Sequence, residues 1–432
     1  MRSAVSIQRR PAPNCERMYM FWRKETSKSL QVMKIQSDQI RLGMYVSELD
    51  VPWLETPFLF QGFMLEDPDD LMTVRGLCAY VYIDVMKTRI PMSDLQRLPA
   101  AKSPIAYPIT TDIQTEIRTA SKRYGVTFQH VRALLTQIEN GEQAGLQAFP
   151  ELVRGCVESI LHNPSALMWL TRIKHRDQYT AEHCMNVGVL AMALGRQLGI
   201  GRKHIELLGL CGMLHDVGKM RLDQEILNKP GRLTAEEFDH IKLHVTYGYE
   251  ELSQDPDMPQ EVMKVALQHH ERLDGRGYPK GALAGTLDFY TRVVAIVDAY
   301  DAITSRRCYS SPRSSAEALK ILYEERGTQF DEKLVVKFIE CVGLYPAGAL
   351  VELSSGEVGV VLAVNPEHRL LPKVALIRDA EKRTIPQRVV DLSASRNEEG
   401  KPDLRVRSVL VDGSHGIDLE AFTQSNINLS SS

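Results

Sequence analysis

Between residues 151 and 341, apolar side chains recur at the three- and four-residue spacing of amphipathic helices. Thr234 and Glu237 have the spacing of a capping box, in which a helix-starting threonine and a later glutamate exchange hydrogen bonds. The helix that they begin is predicted to carry both His240 and His244. The pattern therefore predicts an all-helical domain over residues 151–342, with further helices at 181–198, 205–214, 259–270 and 292–302.

Shorter patterns flank this helical region on both sides. Ahead of it, β-branched and aromatic residues predict short strands within 35–46 and at 79–84, with a helix between them that starts near Asp67. After it, alternating stretches predict strands at 349–353, 358–364 and 373–378. The predicted fold class is therefore mainly α: an all-helical core between a small α/β domain at 34–95 and a small β-rich domain at 343–415.

The remaining segments are expected to be connections and tails. Residues 1–33 are interpreted as a disordered tail, or as the product of a start codon assigned too early. Four prolines between 91 and 108 indicate a linker. Two bridging helices, broken near Gly125, are expected within 96–150. Residues 416–432 are polar and serine-rich and are expected to form a flexible tail.

Composition narrows the class of protein without assigning an activity. The 432 residues are 44% hydrophobic and 25% charged, as in ordinary soluble globular proteins. A net charge of −3 gives no bulk electrostatic reason to expect DNA binding. No apolar run reaches the roughly 18 to 20 residues that span a bilayer. The seven cysteines are scattered without a Cys-x-x-Cys pair, which favours reduced thiols and a cytoplasmic location.

Candidate chemistry is concentrated in the helical region. Eight of the twelve histidines lie between His175 and His270. The sequence His-Asp-Val-Gly-Lys at 215–219 follows an apolar helical run, so its first two side chains are expected at a helix end. Imidazole and carboxylate together are the ligands of divalent transition metals such as iron, manganese and zinc. Of the two histidines one turn apart, His244 is preferred over His240, because His240 follows several charged residues. The candidate ligands are His183, His215, Asp216, His244, His269, His270 and Asp298.

In these motifs the sequence resembles the HD-GYP subgroup of the HD superfamily. The resemblance covers roughly residues 151–341 and rests on ordered motifs: His215-Asp216-Val-Gly-Lys219, His269-His270-Glu271, Asp274-Gly275, Gly277-Tyr278-Pro279 and Asp298-Ala-Tyr-Asp301. Residues 35–84 are also similar to a domain, of unsettled role, that is often found ahead of HD-GYP domains. The resemblance implies a cyclic-di-GMP phosphodiesterase whose metal-bridging hydroxide cuts the substrate to pGpG, with GMP as an alternative end product.

The resemblance also implies a ligand set. One metal would be held by His183, His215 and Asp298, and a second by His244, His269 and His270, with Asp216 bridging the two. Some members have a carboxylate for a third metal where this chain has Tyr179. Two divalent ions per chain, iron or manganese, are therefore expected.

Further residues are implied to contact the substrate. Lys219 would place a cation beside the scissile phosphate and so act with Asp216 in catalysis, and Arg307 would contact bound substrate. Ser310 stands where a basic residue is common, so one phosphate contact is expected to be weaker. The loop Gly277-Tyr278-Pro279 is intact and is expected to bind the substrate, with Gly275 and Gly277 allowing the backbone to approach the nucleotide closely. Tyr278 is expected either to contact the nucleotide or to pack within the loop.

Three functional alternatives remain open at this point. The first is hydrolysis of cyclic-di-GMP, and the second is an HD hydrolase of another nucleotide, such as a cyclic GMP-AMP or an alarmone. The third is a module that senses cyclic-di-GMP and docks partner proteins. By the same resemblance, GGDEF-domain proteins that meet the Gly-Tyr-Pro loop and a second copy of the chain are candidate partners.

Overall fold

A computed structural model describes the chain in segments, with gaps between them. The described residues form two compact units. The small unit contains a four-stranded sheet, and the large unit contains every described residue from 104 onward. The expectation of a tail at 1–33 lies outside the described residues, apart from Val32 and Met33, which begin a strand. The described residues are 32–51, 56, 58, 62–78, 80–91, 104–172, 179–305, 313–365, 368–394, 403–411, 413–419 and 421–422.

The small unit is built on an antiparallel sheet with the strand order β1-β4-β2-β3. Alternate residues such as Ile35, Val46 and Val81 are fully buried, so one face of the sheet forms the core. The strands predicted in this region are confirmed. The elements of this part of the chain are β1 (Val32–Gln36), β2 (Tyr45–Leu49), β3 (Phe63–Met64), α1 (Pro68–Leu77) and β4 (Tyr80–Asp84). Residues 73–77 of α1 belong to the large unit.

The large unit is mainly helical, as predicted. Its helices share one apolar core, in which side chains such as Phe149, Met185 and Phe338 are almost completely buried. No helix within the described ranges combines the length and the apolar character needed to cross a bilayer. The helices are α2 (Ile113–Glu139), α3 (Phe149–His162), α4 (Pro164–Leu170), α5 (Tyr179–Leu198), α6 (Arg202–Leu214), α7 (Gln224–Leu227), α8 (Ala235–Lys242), α9 (His244–Leu252), α10 (Gln260–Gln268), α11 (Phe289–Thr304), α12 (Ser315–Glu324) and α13 (Glu332–Val342).

Helix α2 corrects the prediction of two helices broken near Gly125. It is a single helix of 27 residues that begins at the capping side chain of Asp112. A glycine inside a helix costs only about 1 kcal/mol relative to alanine. Buried residues on both sides of Gly125, among them Ala120 and Phe128, hold the helix against the core, so the local preference is overridden.

The segment 104–108 corrects part of the predicted linker. The backbone N–H of Ile105 donates to the carbonyl of Gly199 at 2.8 Å, and the Tyr107 hydroxyl donates to the carbonyl of Ile200 at 2.8 Å. These residues therefore belong to the helical unit. The linker was predicted from the prolines, because proline favours an extended backbone. A segment packed against a domain can adopt the same extended backbone.

The capping box at Thr234 and Glu237 is confirmed, since both of its hydrogen bonds are present. The helix that it begins ends at Lys242, however, and a new helix starts at His244. The prediction that one helix carries both His240 and His244 is therefore wrong. This break turns His244 inward, where it is fully buried.

A five-stranded antiparallel sheet with the order β8-β7-β6-β5-β9 ends the large unit. Leu350 and Val360 on one face join the helical core, whereas Val351 and Val361 on the other face belong to a separate small core. The three predicted strands are confirmed, and the two outer ones were not predicted. The strands are β5 (Leu350–Leu353), β6 (Val358–Ala363), β7 (Lys373–Arg378), β8 (Thr384–Asp391) and β9 (Val406–Leu410).

Residues after β9 pack against the helices of the large unit. Ile417 and Leu419 are buried in the helical core, and the ring of Phe422 stacks on Trp169 with centroids 6.3 Å apart. The expectation of a flexible tail after residue 416 did not anticipate this packing, because isolated apolar residues in a polar, serine-rich sequence give no periodic signal. Residues 423–432 lie outside the described residues.

Candidate metal centre

Five helices and the turns that follow them bring the seven predicted ligands to one place in the large unit. His183 lies in the first turns of α5, α6 ends just before His215 and Asp216, and α9 starts with His244. His269 and His270 follow the end of α10, and Asp298 projects from α11. The ligand atoms gather in two groups, within each of which they all lie within 4.8 Å of one another. The first group is His183, His215 and Asp298, and the second group is Asp216, His244, His269 and His270.

The carboxylate of Asp216 joins the two groups. Its Oδ2 atom lies 3.4 Å from His183 Nε2 and 3.3 Å from His215 Nε2. Its Oδ1 atom lies 3.4 Å from His244 Nε2 and 3.6 Å from His269 Nε2. One carboxylate therefore presents a separate oxygen to each group, which is the arrangement that a bridging ligand requires.

Hydrogen bonds to the Nδ1 atoms of four histidine rings determine which nitrogen of each ring faces the cluster. The Nδ1 atom of His183 lies 2.8 Å from Asp301 Oδ2, and that of His215 lies 2.8 Å from the carbonyl of Gly212. Equivalent contacts at 2.7 Å and 3.0 Å join Nδ1 of His244 and His269 to backbone carbonyls. Because these oxygens only accept, each Nδ1 carries a proton, and each ring therefore turns its Nε2 atom toward the cluster.

The donor atoms fit divalent ions. His183 Nε2, His215 Nε2 and Asp216 Oδ1 are buried and make no hydrogen bond to any described residue, which is costly unless something else satisfies them. His183 Nε2 also lies 3.0 Å from Asp298 Oδ1, and both atoms belong to the first ligand group. Metal–ligand bonds of about 2.1 Å place neighbouring ligand atoms about 3.0 to 3.4 Å apart, close to the separations seen here.

Burial and charge set the protonation of the cluster. Burial raises the pKa of Asp216, but Lys219 and the nearby histidines outweigh it and hold that pKa well below its usual range. Burial also lowers the pKa of His244, to about 3, so this ring is neutral. For His183, burial lowers the pKa, and the three surrounding carboxylates outweigh it and raise it to about 10. The two carboxylates that could bind metal, Asp216 and Asp298, thus stay anionic.

Lys219 lies in a 3-10 turn, Val217–Arg221, that directly follows Asp216. Its ammonium group donates to Asp216 Oδ2, and its side chain is 18% exposed. Gly218 lets this turn pack against α9: a Cβ atom there would lie 2.1 Å from the carbonyl oxygen of His244 and 2.3 Å from the amide nitrogen of Gly248. The absence of a side chain at Gly218 therefore lets the turn that carries Lys219 pack directly against the start of α9, where His244 lies.

The loop after His270 is folded back on itself. Glu271 is buried, and its carboxylate accepts the backbone N–H groups of Lys280 at 2.7 Å and Ala282 at 2.8 Å. A Cβ atom on Gly277 would lie 2.4 Å from the Cα of Glu271. This glycine is therefore needed for the loop's own packing, whereas the sequence suggested close approach to a nucleotide.

Tyr278 packs against a histidine of the second ligand group. Its ring centroid lies 4.8 Å from that of His270 and 6.3 Å from that of Phe238. These contacts agree with the expectation of loop packing. The ring also lines the groove described next, so contact with a nucleotide stays a prediction.

A wide groove runs over the two ligand groups, with a cavity volume of about 2270 Å³. That volume exceeds the roughly 300–1,000 Å³ of sites for drug-sized molecules. Helix α2 contributes Tyr124 and Arg132, the loop contributes Arg276, and the C-terminal segment contributes Ile417 and Leu419. The basic residues along the wall suit an anionic ligand.

Arg307 and Ser310 lie outside the described residues. Tyr179, which stands where some HD-GYP proteins have a carboxylate, stacks its ring on His183 at 5.8 Å between centroids. The expected count of two metals stays a prediction.

The sequence analysis gave no role to several residues that support the site. Asp301 lies three residues after Asp298 on the same helix, and this spacing alone could have marked it as facing the cluster. Arg276 lies between two loop glycines and lines the groove. Asn186 and Tyr124 gave no signal, because their contacts depend on how the helices pack.

Comparisons with known proteins identify the families that this chain resembles. Three protein-family profiles match: "HD domain" at 161–334, "Domain of unknown function (DUF3391)" at 32–149, and "KOW domain associated with HD domain" at 350–397. A cyclic di-GMP phosphodiesterase of Pseudomonas aeruginosa is 36% identical over 367 residues, which cover 83% of this chain and 88% of that protein.

Other relatives are similar over shorter stretches. The cyclic di-GMP phosphodiesterase response regulator RpfG of Xanthomonas campestris is 33% identical over 47% of this chain and 54% of its own length. A 3'3'-cGAMP-specific phosphodiesterase of Vibrio cholerae is 31% identical over 39% of this chain and 32% of its own length. A solved structure of an HDG"Y"P protein from Bdellovibrio bacteriovorus aligns with a TM-score of 0.44 and 22% identity, over 71% of this chain and 98% of that one.

The HD-domain match includes all seven residues of the two ligand groups. Members of the HD-domain family bind divalent metal through such histidine and aspartate clusters. Together with the extent of the similarity to the Pseudomonas aeruginosa protein, these findings show that the chain belongs to the HD-GYP family of metal-dependent phosphodiesterases.

Proposed function

We propose that this protein is a phosphodiesterase that hydrolyses cyclic-di-GMP to linear pGpG. The observation that carries the proposal is Asp216, whose two oxygens face two separate groups of histidines on the floor of a wide groove. Support for the substrate comes from the relative of Pseudomonas aeruginosa, which is a cyclic di-GMP phosphodiesterase and is similar over most of both chains.

Each ligand group would hold one divalent ion. The first group would use His183, His215 and Asp298, the second would use His244, His269 and His270, and Asp216 would bridge them. When bound, two such ions supply Lewis acidity for phosphate oxygens and lower the pKa of a bound water. Iron or manganese suits this mixture of imidazole and carboxylate ligands.

The protein's own side chains would orient the substrate and balance its charge. Lys219, held beside Asp216 at the groove wall, places a cation where charge grows on the phosphate during hydrolysis. Arg276 lines the same groove and Arg307 is expected to contact bound phosphate. The loop with Gly277, Tyr278 and Pro279 would contact the nucleotide through the tyrosine ring.

A second candidate substrate is 3'3'-cGAMP, since relatives in Vibrio cholerae act specifically on that nucleotide. Both molecules are cyclic dinucleotides with two phosphodiester groups, so the metal chemistry would be the same. A homodimer, GGDEF-domain partners at the Gly-Tyr-Pro loop and a cytoplasmic location are further predictions, which rest on the family resemblance and on composition.

The proposal is tested by anaerobic purification with iron or manganese, followed by incubation with each cyclic dinucleotide and chromatography of the products. We expect faster hydrolysis of cyclic-di-GMP, with pGpG as the first product. Asp216→Asn should abolish hydrolysis and reduce the bound metal, whereas Asp239→Asn, at an exposed carboxylate paired with Lys242, should change neither. Turnover close to normal in folded Asp216→Asn protein would contradict the assignment.

A further inference from the structure

A chain of hydrogen bonds runs from helix α2 to a ligand of the first group. The hydroxyl of Tyr124 lies 3.1 Å from Asn186 Oδ1, and Asn186 Nδ2 lies 3.0 Å from Asp301 Oδ1. Asp301 Oδ2 in turn lies 2.8 Å from His183 Nδ1. Three residues on three different helices thus connect the groove wall with the back of one imidazole ring.

Each link of this chain has one direction. Asp301 is an acceptor that receives hydrogen bonds from His183, Asn186 and the hydroxyl of Ser305 at 3.1 Å. Asn186 must therefore donate its amide N–H to Asp301 and keep its carbonyl oxygen for Tyr124, which donates. The chain consequently fixes the proton of His183 on Nδ1 and turns Nε2 toward Asp216 and Asp298.

Burial makes these hydrogen bonds significant. Asn186 is 0% exposed, His183 1% and Asp301 3%. A buried amide whose partner is removed keeps the full cost of its lost hydration, which exceeds the net gain from an ordinary hydrogen bond. Loss of the Tyr124 hydroxyl therefore leaves Asn186 with an unsatisfied oxygen, and rotation of the amide to relieve it would turn its N–H away from Asp301.

Tyr124, the first residue of this series of hydrogen bonds, comes from outside the HD-domain match. This residue lies on α2, within the stretch that matches the domain of unknown function and ahead of the HD-domain match. All the ligand residues lie within the HD-domain match. A residue supplied by the preceding segment thus supports a ligand of the metal centre.

We propose that Tyr124, Asn186 and Asp301 are positioning residues for His183, and that α2 is thereby a working part of the metal centre. Partners behind metal-ligating histidines commonly change metal affinity or activity by 10- to 100-fold when altered. This inference rests on the proposed metal centre. It adds that metal affinity at the first group depends on a helix outside the HD-domain match.

The first experiment compares two removals of a tyrosine hydroxyl in the full chain. Tyr124→Phe removes the first link, and Tyr300→Phe is the matched control, because Tyr300 is buried next to Asp301 and its hydroxyl has no hydrogen bond to a described residue. Metal-free protein is titrated with Co²⁺ in the absence of substrate, and both the binding curve and the visible absorption spectrum are recorded. Because Tyr124 also lines the groove, turnover alone would not separate positioning from substrate contact.

We expect Tyr124→Phe to weaken the affinity of one of two Co²⁺ sites by about 3- to 10-fold, the effect of one lost hydrogen bond, and to alter the spectrum. Tyr300→Phe should match the unsubstituted protein. Asp301→Asn should weaken the same site by about 10- to 100-fold, and Asp301→Ala should weaken it at least as much. If Asp301→Asn does not fold, the Tyr124→Phe comparison still decides the question.

Unchanged Co²⁺ affinity and spectrum in Tyr124→Phe would overturn the positioning role, even with normal hydrolysis by the unsubstituted protein. Equal effects of Tyr124→Phe and Tyr300→Phe would also overturn it, because they would show a general response to loss of a hydroxyl. Failure of the unsubstituted protein to bind Co²⁺ would instead contradict the proposed metal centre. The two failures are therefore distinguishable.

Discussion

Replacement of Gly218 by alanine should damage one half of the metal centre more than the other. A Cβ atom at this position would lie 2.1 Å from the carbonyl oxygen of His244, whereas ordinary contact begins at 3.4 Å, so one backbone must move by about 1.3 Å. Overpacking of this kind costs about 1–3 kcal/mol. The backbone on the far side of this contact is that of His244, a second-group residue, and metal–ligand distances tolerate changes of only about 0.2 Å.

We therefore expect Gly218→Ala to lower the thermal unfolding midpoint and to reduce bound metal from about two ions per chain toward one. Elemental analysis of anaerobically loaded protein, together with a thermal melt, measures both effects. The matched control is Gly125→Ala, because a Cβ atom on Gly125 meets nothing within 4 Å. That change should stabilise α2 by about 0.5–1 kcal/mol. Retention of the full metal content and midpoint by Gly218→Ala would refute the steric reasoning.

Three further predictions concern the charge, the metal and the boundaries of the site. Lys219→Ala should lower kcat by about 100- to 1,000-fold with little change in KM, as for a lost transition-state donor. Lys203→Ala, at an exposed residue, should leave both constants unchanged. Steady-state kinetics measure both variants. Chelation should lower the thermal midpoint, since ions that bind only the folded state stabilise it, and added Mn²⁺ should restore it. A shortened chain that begins at Pro104 should keep hydrolysis, but one that begins at Glu151 should lose metal because it lacks α2; a metal-loaded, active shorter chain would contradict this.

The clustering of the candidate ligands could be predicted because its signal is chemical and local. His215 and Asp216 end one helical pattern and His269 and His270 end another, so each pair was expected at a helix terminus where side chains can converge. The choice of His244 over His240 used only neighbouring charge, and the structure places His244 inside and leaves His240 accepting a hydrogen bond from the backbone of Asp223 at 3.3 Å.

The supporting residues could not be predicted, because their partners are distant in sequence. Tyr124 and Asn186 are 62 residues apart, and Asn186 and Asp301 are 115 apart. Only the packing of α2 and α11 against α5 brings these side chains together. Gly125 shows the opposite limitation: its helix-breaking tendency is a local signal, and burial of the surrounding residues outweighs it.

The residues that line the groove are spread along the sequence, so they are synthesised at different times. The last ligand is Asp298, whereas the wall that includes Leu419 comes 121 residues later. At about 5–20 residues per second, roughly 6 to 24 s separate the synthesis of the complete ligand set from that of its final wall. We expect the candidate ligands to be reached by metal ions more easily during that interval, because the groove then lacks the wall formed by residues such as Leu419.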